Sequence, residues 1–236
     1  MRAGARSRMI ALVKTDIIDA TPSERSAPWA RAFAVVYDPF LYAGERAGVR
    51  ALRKELLGKA RGFTVEVGSG TGLNLPYYPD DLDTLVLTEP DPAMRSRLEK
   101  RLRGSDRDAG VVHAPAEQLP FANRSVDTVV STFAMCTVDA PELALREIVR
   151  VLRPDGQLLF LEHVRSHSPR LASWQDRLAG PWRRFARGCR CNRATAALIE
   201  TCGLTIDDLH EASWRAMPPI VRPLIAGRAQ IGTTDA

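Results

Sequence analysis

Residues Thr64-Val65-Glu66-Val67 lead directly into Gly68-Ser69-Gly70-Thr71-Gly72, and this junction constrains the fold more than any other stretch of the chain. A short apolar run followed by three alternate glycines reads as a buried strand entering a tight turn. Glycine takes positive φ and lets a ligand approach the backbone closely. Glu89 closes the next predicted strand, seventeen positions after Gly72. A carboxylate there is placed to accept both hydroxyls of a ribose. Loop and carboxylate together predict a site for a nucleoside-containing cofactor.

The spacing selects among such cofactors. A dinucleotide loop needs a third glycine three places after the second; that place holds Leu73, and the pattern is Glu-x-Gly-x-Gly-x-Gly. An acidic residue, Glu66, precedes the first glycine where a dinucleotide site usually carries an apolar one. On these residues the chain resembles the class I S-adenosylmethionine-dependent methyltransferases. The resemblance implies that Glu66 contacts the methionine ammonium, that Gly68, Ser69, Gly70, Thr71 and Gly72 pack under the methionyl-ribose part, and that Glu89, with Pro90 beside it, binds the ribose. It also implies a Rossmann-like sheet of seven strands, the last antiparallel, with helices on both faces. S-adenosylhomocysteine would be the product.

The rest of the chain reads as the same architecture. Apolar runs at 63–67, 84–88, 111–113, 126–132 and 157–164 have the form of strands covered on both faces, and two more are expected near 205–209 and 224–230. Strand–helix alternation implies a parallel sheet with ligands beyond the carboxyl ends of its strands. Residues 1–28 read as a mobile basic arm, and 29–236 as one methyltransferase domain. Within it the cofactor-binding core spans about 62–165, and an arginine-rich insertion or lid spans about 166–193. A helix over 29–61 is expected to break at Tyr37-Asp38-Pro39. Asp91 is a predicted N-cap, Asp139 with Glu142 resembles a capping box, and Arg153-Pro154-Asp155-Gly156 has turn chemistry.

Composition narrows the function classes. Apolar and charged fractions of 45% and 26% are those of a globular protein, and no apolar run reaches the length of a membrane span. The apolar segment 9–13 is too short for a signal-peptide core, so a cytoplasmic location is expected. Net charge +5 permits contact with nucleic acid or an anionic membrane, the latter through the basic arm. Arg183, Arg184, Arg187, Arg190 and Arg193 read as a solvated helix face. Neither of the amide-methylating and cytosine-methylating signatures is present, which argues against a nucleic-acid partner. Four cysteines are no disulfide framework, and Cys189 with Cys191 lacks the spacing of a sequence-local zinc pair, so no metal is expected.

Ala114-Pro115-Ala116-Glu117 resembles the family's adenine-binding motif, with Pro115 where many members carry an acid; Ala116 and Glu117 are then the adenine contacts. Ser131, Thr132, Phe133 and Cys136 end the fourth strand, where the family meets cofactor methionine and acceptor. From there to about 193, the pieces Cys136-Thr137-Val138, Arg150-Val151-Leu152-Arg153-Pro154, Glu162-His163-Val164, Trp174-Gln175, Pro181-Trp182 and Gly188-Cys189 resemble the methyltransferase-like proteins of animals that methylate alkyl thiols. Those carry an N-terminal membrane anchor that is not seen here. His163 is the candidate base, since imidazole titrates near neutrality. Tyr37, Trp174 and Trp182 are candidate walls of an acceptor pocket.

The expected reaction is methyl transfer to a small, fairly apolar acceptor, with a thiol narrowly favoured. Carbon or oxygen methylation of a quinone or phenol, and nitrogen methylation of a phospholipid, are the alternatives. Outside catalysis, the alternatives are a cofactor-binding protein without turnover and a basic nucleic-acid-associated module.

Overall fold

A computed structural model describes residues 28–232; the basic arm read over 1–28 lies almost wholly outside them. The helix α1 (Pro28–Gly44) leads through a π-helical turn over Glu45–Val49 into α2 (Arg50–Leu57). Then follow β1 (Phe63–Val67), β2 (Thr84–Thr88), α3 (Pro92–Arg103), β3 (Gly110–Val112) and β4 (Val126–Thr132). The second half comprises α4 (Pro141–Val151), β5 (Leu152–His163), α5 (Pro169–Phe185), α6 (Thr195–Thr201), β6 (Leu204–Ser213) and β7 (Pro223–Ile231).

The strands form one sheet in the order β3-β2-β1-β4-β5-β7-β6. Strands β1 to β5 are parallel, and β7 inserts antiparallel between β5 and β6. The seven-stranded, mostly parallel expectation is thus met. The order reverses at β1, whose neighbours are β2 and β4, and a ligand crevice opens at that switch point.

Two apolar layers sandwich the sheet. The pleat sends alternate residues to opposite faces. Phe63, Val65 and Val67 join Leu145, Ile148 and Ile199 on one side. Leu87, Val130, Leu159 and Leu161 join Leu56, Leu57 and Leu98 on the other. Thr64 and Glu66 share that second face by parity, under α2.

Local chemistry explains most element ends. Asp91 caps α3 as expected, its Oδ1 accepting from Ala93 N at 2.8 Å and Met94 N at 3.0 Å, with Pro92 at the first helical position. Three expectations are corrected. First, α1 runs unbroken through Pro39, and the break falls at Gly48, whose φ of 142° closes no helical turn. Second, Asp139 caps nothing: α4 starts after Ala140 without a side-chain cap, because Asp139 is drawn to Arg183 and Arg190. Third, Arg153–Gly156 does not separate helix from strand. The ladder pairs Val126 with Leu152 and Thr128 with Gln157, so the turn is an excursion within β5.

Candidate active site

The carboxyl ends of β1, β2, β4 and β5 meet at a cavity of about 370 Å³, with a recess of about 40 Å³ beside it. Tyr37, Gly68, Gly70 and Phe133 line both. The glycines of the loop divide their work. A Cβ on Gly68 would lie 2.8 Å from that of Ala134, and one on Gly72 would lie 2.7 Å from Leu98 Cδ1, so both serve close packing. Gly70, at φ 57°, has no atom within 4 Å of that position; it borders open space.

Glu89 closes the loop from β2. Its Oε2 accepts from Gly70 N at 2.7 Å and its Oε1 from Asp91 N at 2.8 Å. Burial raises its pKa from 4.5 to about 7, against the lowering effect of those two N–H groups. Each oxygen retains acceptor capacity toward the cavity. Pro90, Ala116 and Glu117 line the same cavity, and Glu117 Oε1 accepts from Ala140 N at 3.4 Å.

The recess is built on a buried polar network. Glu66 accepts from Asn74 Nδ2 at 2.8 Å and from Tyr78 Oη at 2.6 Å. Asn74 Nδ2 also reaches Thr132 Oγ1 at 2.8 Å, and Arg53 Nη1 reaches Asn74 Oδ1 at 2.6 Å. Arg53 in turn pairs with buried Glu45 at 3.0 Å. Burial is the main effect on Glu66 and raises its pKa; Tyr78, Asn74 and Arg53 oppose it. Thr71 faces the recess but spends its hydroxyl on Asp38, at 2.6 Å, and Arg101 joins that pair from α3 at 2.5 Å. This clasp holds α1 over the glycine loop. Ser69 Oγ is buried without a partner.

The predicted residues do not all arrive. Ser131 is fully buried on the opposite face from Thr132, and its hydroxyl donates to Glu162 Oε1 at 2.7 Å, so it lines neither cavity. Trp174 is 55% exposed on α5 and also lines neither. Both assignments are corrected. Tyr37, Phe133, Cys136, His163 and Trp182 all reach the larger cavity.

Several residues that line or brace the cavity were missed. Glu162 is buried at the end of β5 and gathers Ser131 Oγ with the N–H groups of Ala134, Met135 and Cys136. It thereby fixes the turn after β4, where Phe133 takes φ 55°. Burial raises the Glu162 pKa to about 7. Trp214, Met217 and Val221 arrive from the β6–β7 connection. The Trp214 ring stacks on Phe133 at 4.6 Å and on His163 at 5.2 Å.

His163 is a poor base in this setting. Burial among rings lowers its pKa to about 4, although a backbone hydrogen bond with Val221 favours the charged form. Its Nδ1 is buried without a partner. Burial likewise pushes the Tyr37 hydroxyl upward.

The insertion is tied down by ion pairs and buried hydrogen bonds. Arg187 pairs with Asp91 at 2.5 Å, and Arg183 and Arg190 pair with Asp139. Arg193 donates to Met135 O and, at 2.6 Å, to Val138 O. Fully buried Gln175 donates to the carbonyls of Val164, Cys191 and Ile220. The reading of these arginines as a solvated face holds for Arg183, Arg184 and Arg187, which stay exposed, and fails for Arg190 and Arg193, which are partly buried.

A seven-stranded sheet in this order, with an acidic-glycine loop at its switch point, defines a cofactor-dependent methyltransferase of class I. The chain belongs to the class I S-adenosylmethionine-dependent methyltransferases, and the family model described as a methyltransferase domain matches residues 65–160. It is 31% identical to human thiol S-methyltransferase TMT1B over 214 residues, covering 82% of this chain and 85% of that one. It is 42% identical over 170 residues to the ubiquinone/menaquinone biosynthesis C-methyltransferase UbiE of Ectopseudomonas mendocina, covering 68% and 66%. Among solved structures, a possible histamine N-methyltransferase of Thermotoga maritima superposes with TM-score 0.63 at 22% identity, covering 85% of this chain and 96% of that one. The cofactor is therefore S-adenosylmethionine. Among the described residues no helix is long and apolar enough to cross a membrane.

Proposed function

We propose that the protein methylates a small, apolar thiol. The carrying observation is the lack of a free base among the described residues of the cavity. His163 titrates at about 4. Glu89 commits its remaining acceptor capacity to the cofactor ribose in this reading, Asp91 is occupied with backbone N–H groups, Asp139 with arginines, and Glu117 with Ala140 N. An acceptor that loses its proton readily suits such a cavity. A thiol, of pKa about 8.5, does so more readily than a phenol near 10. The thiol S-methyltransferases among the relatives support this reading.

In this proposal S-adenosylmethionine lies across the switch point. Glu89 takes the ribose hydroxyls, Gly70 gives its face to the ligand, and Ala116 and Glu117 flank the adenine beside Pro90. Glu66, with Arg53 and Asn74, faces the methionine end from the recess, and Thr132 completes that wall. Tyr37, Phe133, Cys136 and Trp182 enclose the acceptor. When bound, the cofactor would supply an activated methyl group at its sulfonium, which the acceptor sulfur would receive as its own proton passes to solvent and the bonding pair stays with the cofactor sulfur. Orientation of the two sulfurs in line contributes on the order of 7–11 kcal/mol.

The second reading is carbon methylation of a quinol, supported by the quinone C-methyltransferase among the relatives and by the Phe133 and Trp214 rings that line the cavity. Methyl-labelled cofactor offered with an alkyl thiol, a phenol, a quinol and phosphatidylethanolamine separates these cases. Turnover on the thiol, with none on the phenol, the quinol or phosphatidylethanolamine, is the expected result. Turnover on the quinol with none on thiols would sink the thiol reading.

A further inference from the structure

Cys136, His163 and Cys189 come together on the acceptor side of the cavity. Their ligating atoms all lie within 4.8 Å of one another, and all three residues are buried. They come from three elements: the turn after β4, the end of β5 and the chain after α5. No local spacing could have announced them, and the Cys189–Cys191 pair was a distraction.

We propose that Cys136, Cys189 and His163 bind a thiophilic divalent cation, zinc foremost, with its fourth coordination position open to the cavity. Zinc–sulfur and zinc–nitrogen bonds of about 2.3 and 2.0 Å place tetrahedral donors roughly 3.5–3.8 Å apart. The three groups reach that spacing by small side-chain movements. Two thiolates and a neutral imidazole balance a divalent charge, so the filled site is neutral and suits a buried place. His163 Nδ1 is a buried acceptor or donor with nothing to bond. Trp182 Nε1, which also borders the cavity, likewise has no hydrogen-bond partner. Arg193 donates to the carbonyls of Met135 and Val138 and so fixes the turn that carries Cys136.

Three protein ligands with one position open to a cavity are the pattern of a catalytic rather than a structural zinc. Resting on the thiol reading, the open position would take the acceptor itself. A thiol that coordinates the ion loses its proton to solvent and is held as a thiolate at neutral pH. After the methyl group transfers, the product is a neutral thioether, a weaker ligand, and it leaves the ion. The arrangement supplies a deprotonated nucleophile without a base.

The test uses the full chain, reduced, stripped with a chelator and titrated with cobalt(II) as a visible stand-in for zinc. The expected result is one equivalent per chain, with a sulfur-to-cobalt charge-transfer band and tetrahedral d–d bands that zinc abolishes. Cys189→Ser and His163→Gln should each weaken cobalt binding by about 100-fold or more, since loss of a direct ligand exceeds the 10–100-fold cost of outer-shell changes. S-adenosylhomocysteine binding shows whether each variant is folded, and Cys189→Ala replaces any that is not. A spectrum without charge transfer, or one unchanged in folded Cys189→Ser, overturns the proposal. Cobalt bound as expected with no thiol methylated would uphold the metal site and discard only the thiol reading. Thiols methylated at full rate by stripped, metal-free protein would keep the thiol reading and overturn the role proposed for the ion.

Discussion

The carboxylate of Glu89 accepts from Gly70 N and Asp91 N while its pKa stands near 7. Cofactor hydroxyls bond better to the ionised form, so binding favours proton release. S-adenosylhomocysteine affinity is therefore expected to rise as pH climbs through about 7 and to level off above it. Glu89→Gln should bind more weakly and show a flat profile by calorimetry; a wild-type slope surviving in that variant would remove the ribose assignment. The glycines give a second residue-level contrast. Gly70→Val puts a branched side chain into the cavity at φ 57° and should abolish cofactor binding, with about 1–2 kcal/mol of backbone strain. Gly72→Ala drives a methyl into Leu98 and should lower thermal stability instead. The cofactor loop was legible because its signal is local: strand, glycines and carboxylate follow in order. Arg53, Asn74 and Glu162 were not, because each acts through partners from other elements. Ser131 could have been excluded by the two-residue period of β4, which gives one of the pair Ser131 and Thr132 to each face.

At the scale of elements, α5 behaves as a tethered cover. Gln175 is fully buried and serves three carbonyls from three segments. Gln175→Ala leaves those carbonyls unpaired and should cost about 1–3 kcal/mol. Amide exchange should quicken across 166–193 while β1 and β4 stay protected; uniform loss of protection would show that the cover does not open separately. Helical period also explains the two tryptophans. Leu171, Gln175 and Trp182 fall on one stripe of α5, which faces the core, whereas Trp174 stands beside it in solvent. The insertion was visible in the sequence as an arginine-rich tract, but its docking was not, since Asp91 and Asp139 lie far away along the chain.

For the whole molecule, buried carboxylates set the pH dependence of stability. Glu162 and Glu89 both titrate near 7 when folded, against 4.5 when free. The folded state then holds more protons than the unfolded state between those values. Their stabilising contribution is complete below 4.5 and is lost as pH rises through about 7. Denaturant melts of ligand-free protein should show a lower midpoint at pH 8 than at pH 5 in this respect, with a smaller difference in Glu162→Gln. Equal slopes in both proteins would place Glu162 outside the titrating set. Strand number and the antiparallel last strand were foreseeable from the family pattern and apolar runs. The breadth of the C-terminal contribution was not, because Trp214 carries no motif.

The insertion of β7 between β5 and β6 bears on how the chain is made. Strand β5 emerges from the ribosome with one edge paired to β4 and the other bare, and it stays so until β7 follows some sixty residues later. Its run Leu158–Leu161 is wholly apolar and fully buried in the finished sheet. A nascent chain paused within α5 or α6 thus offers a long hydrophobic edge to any neighbouring strand, the condition under which sheets join wrongly. Only when the last strand arrives do Trp214 and Gly44 meet, joining the beginning of the fold to its end.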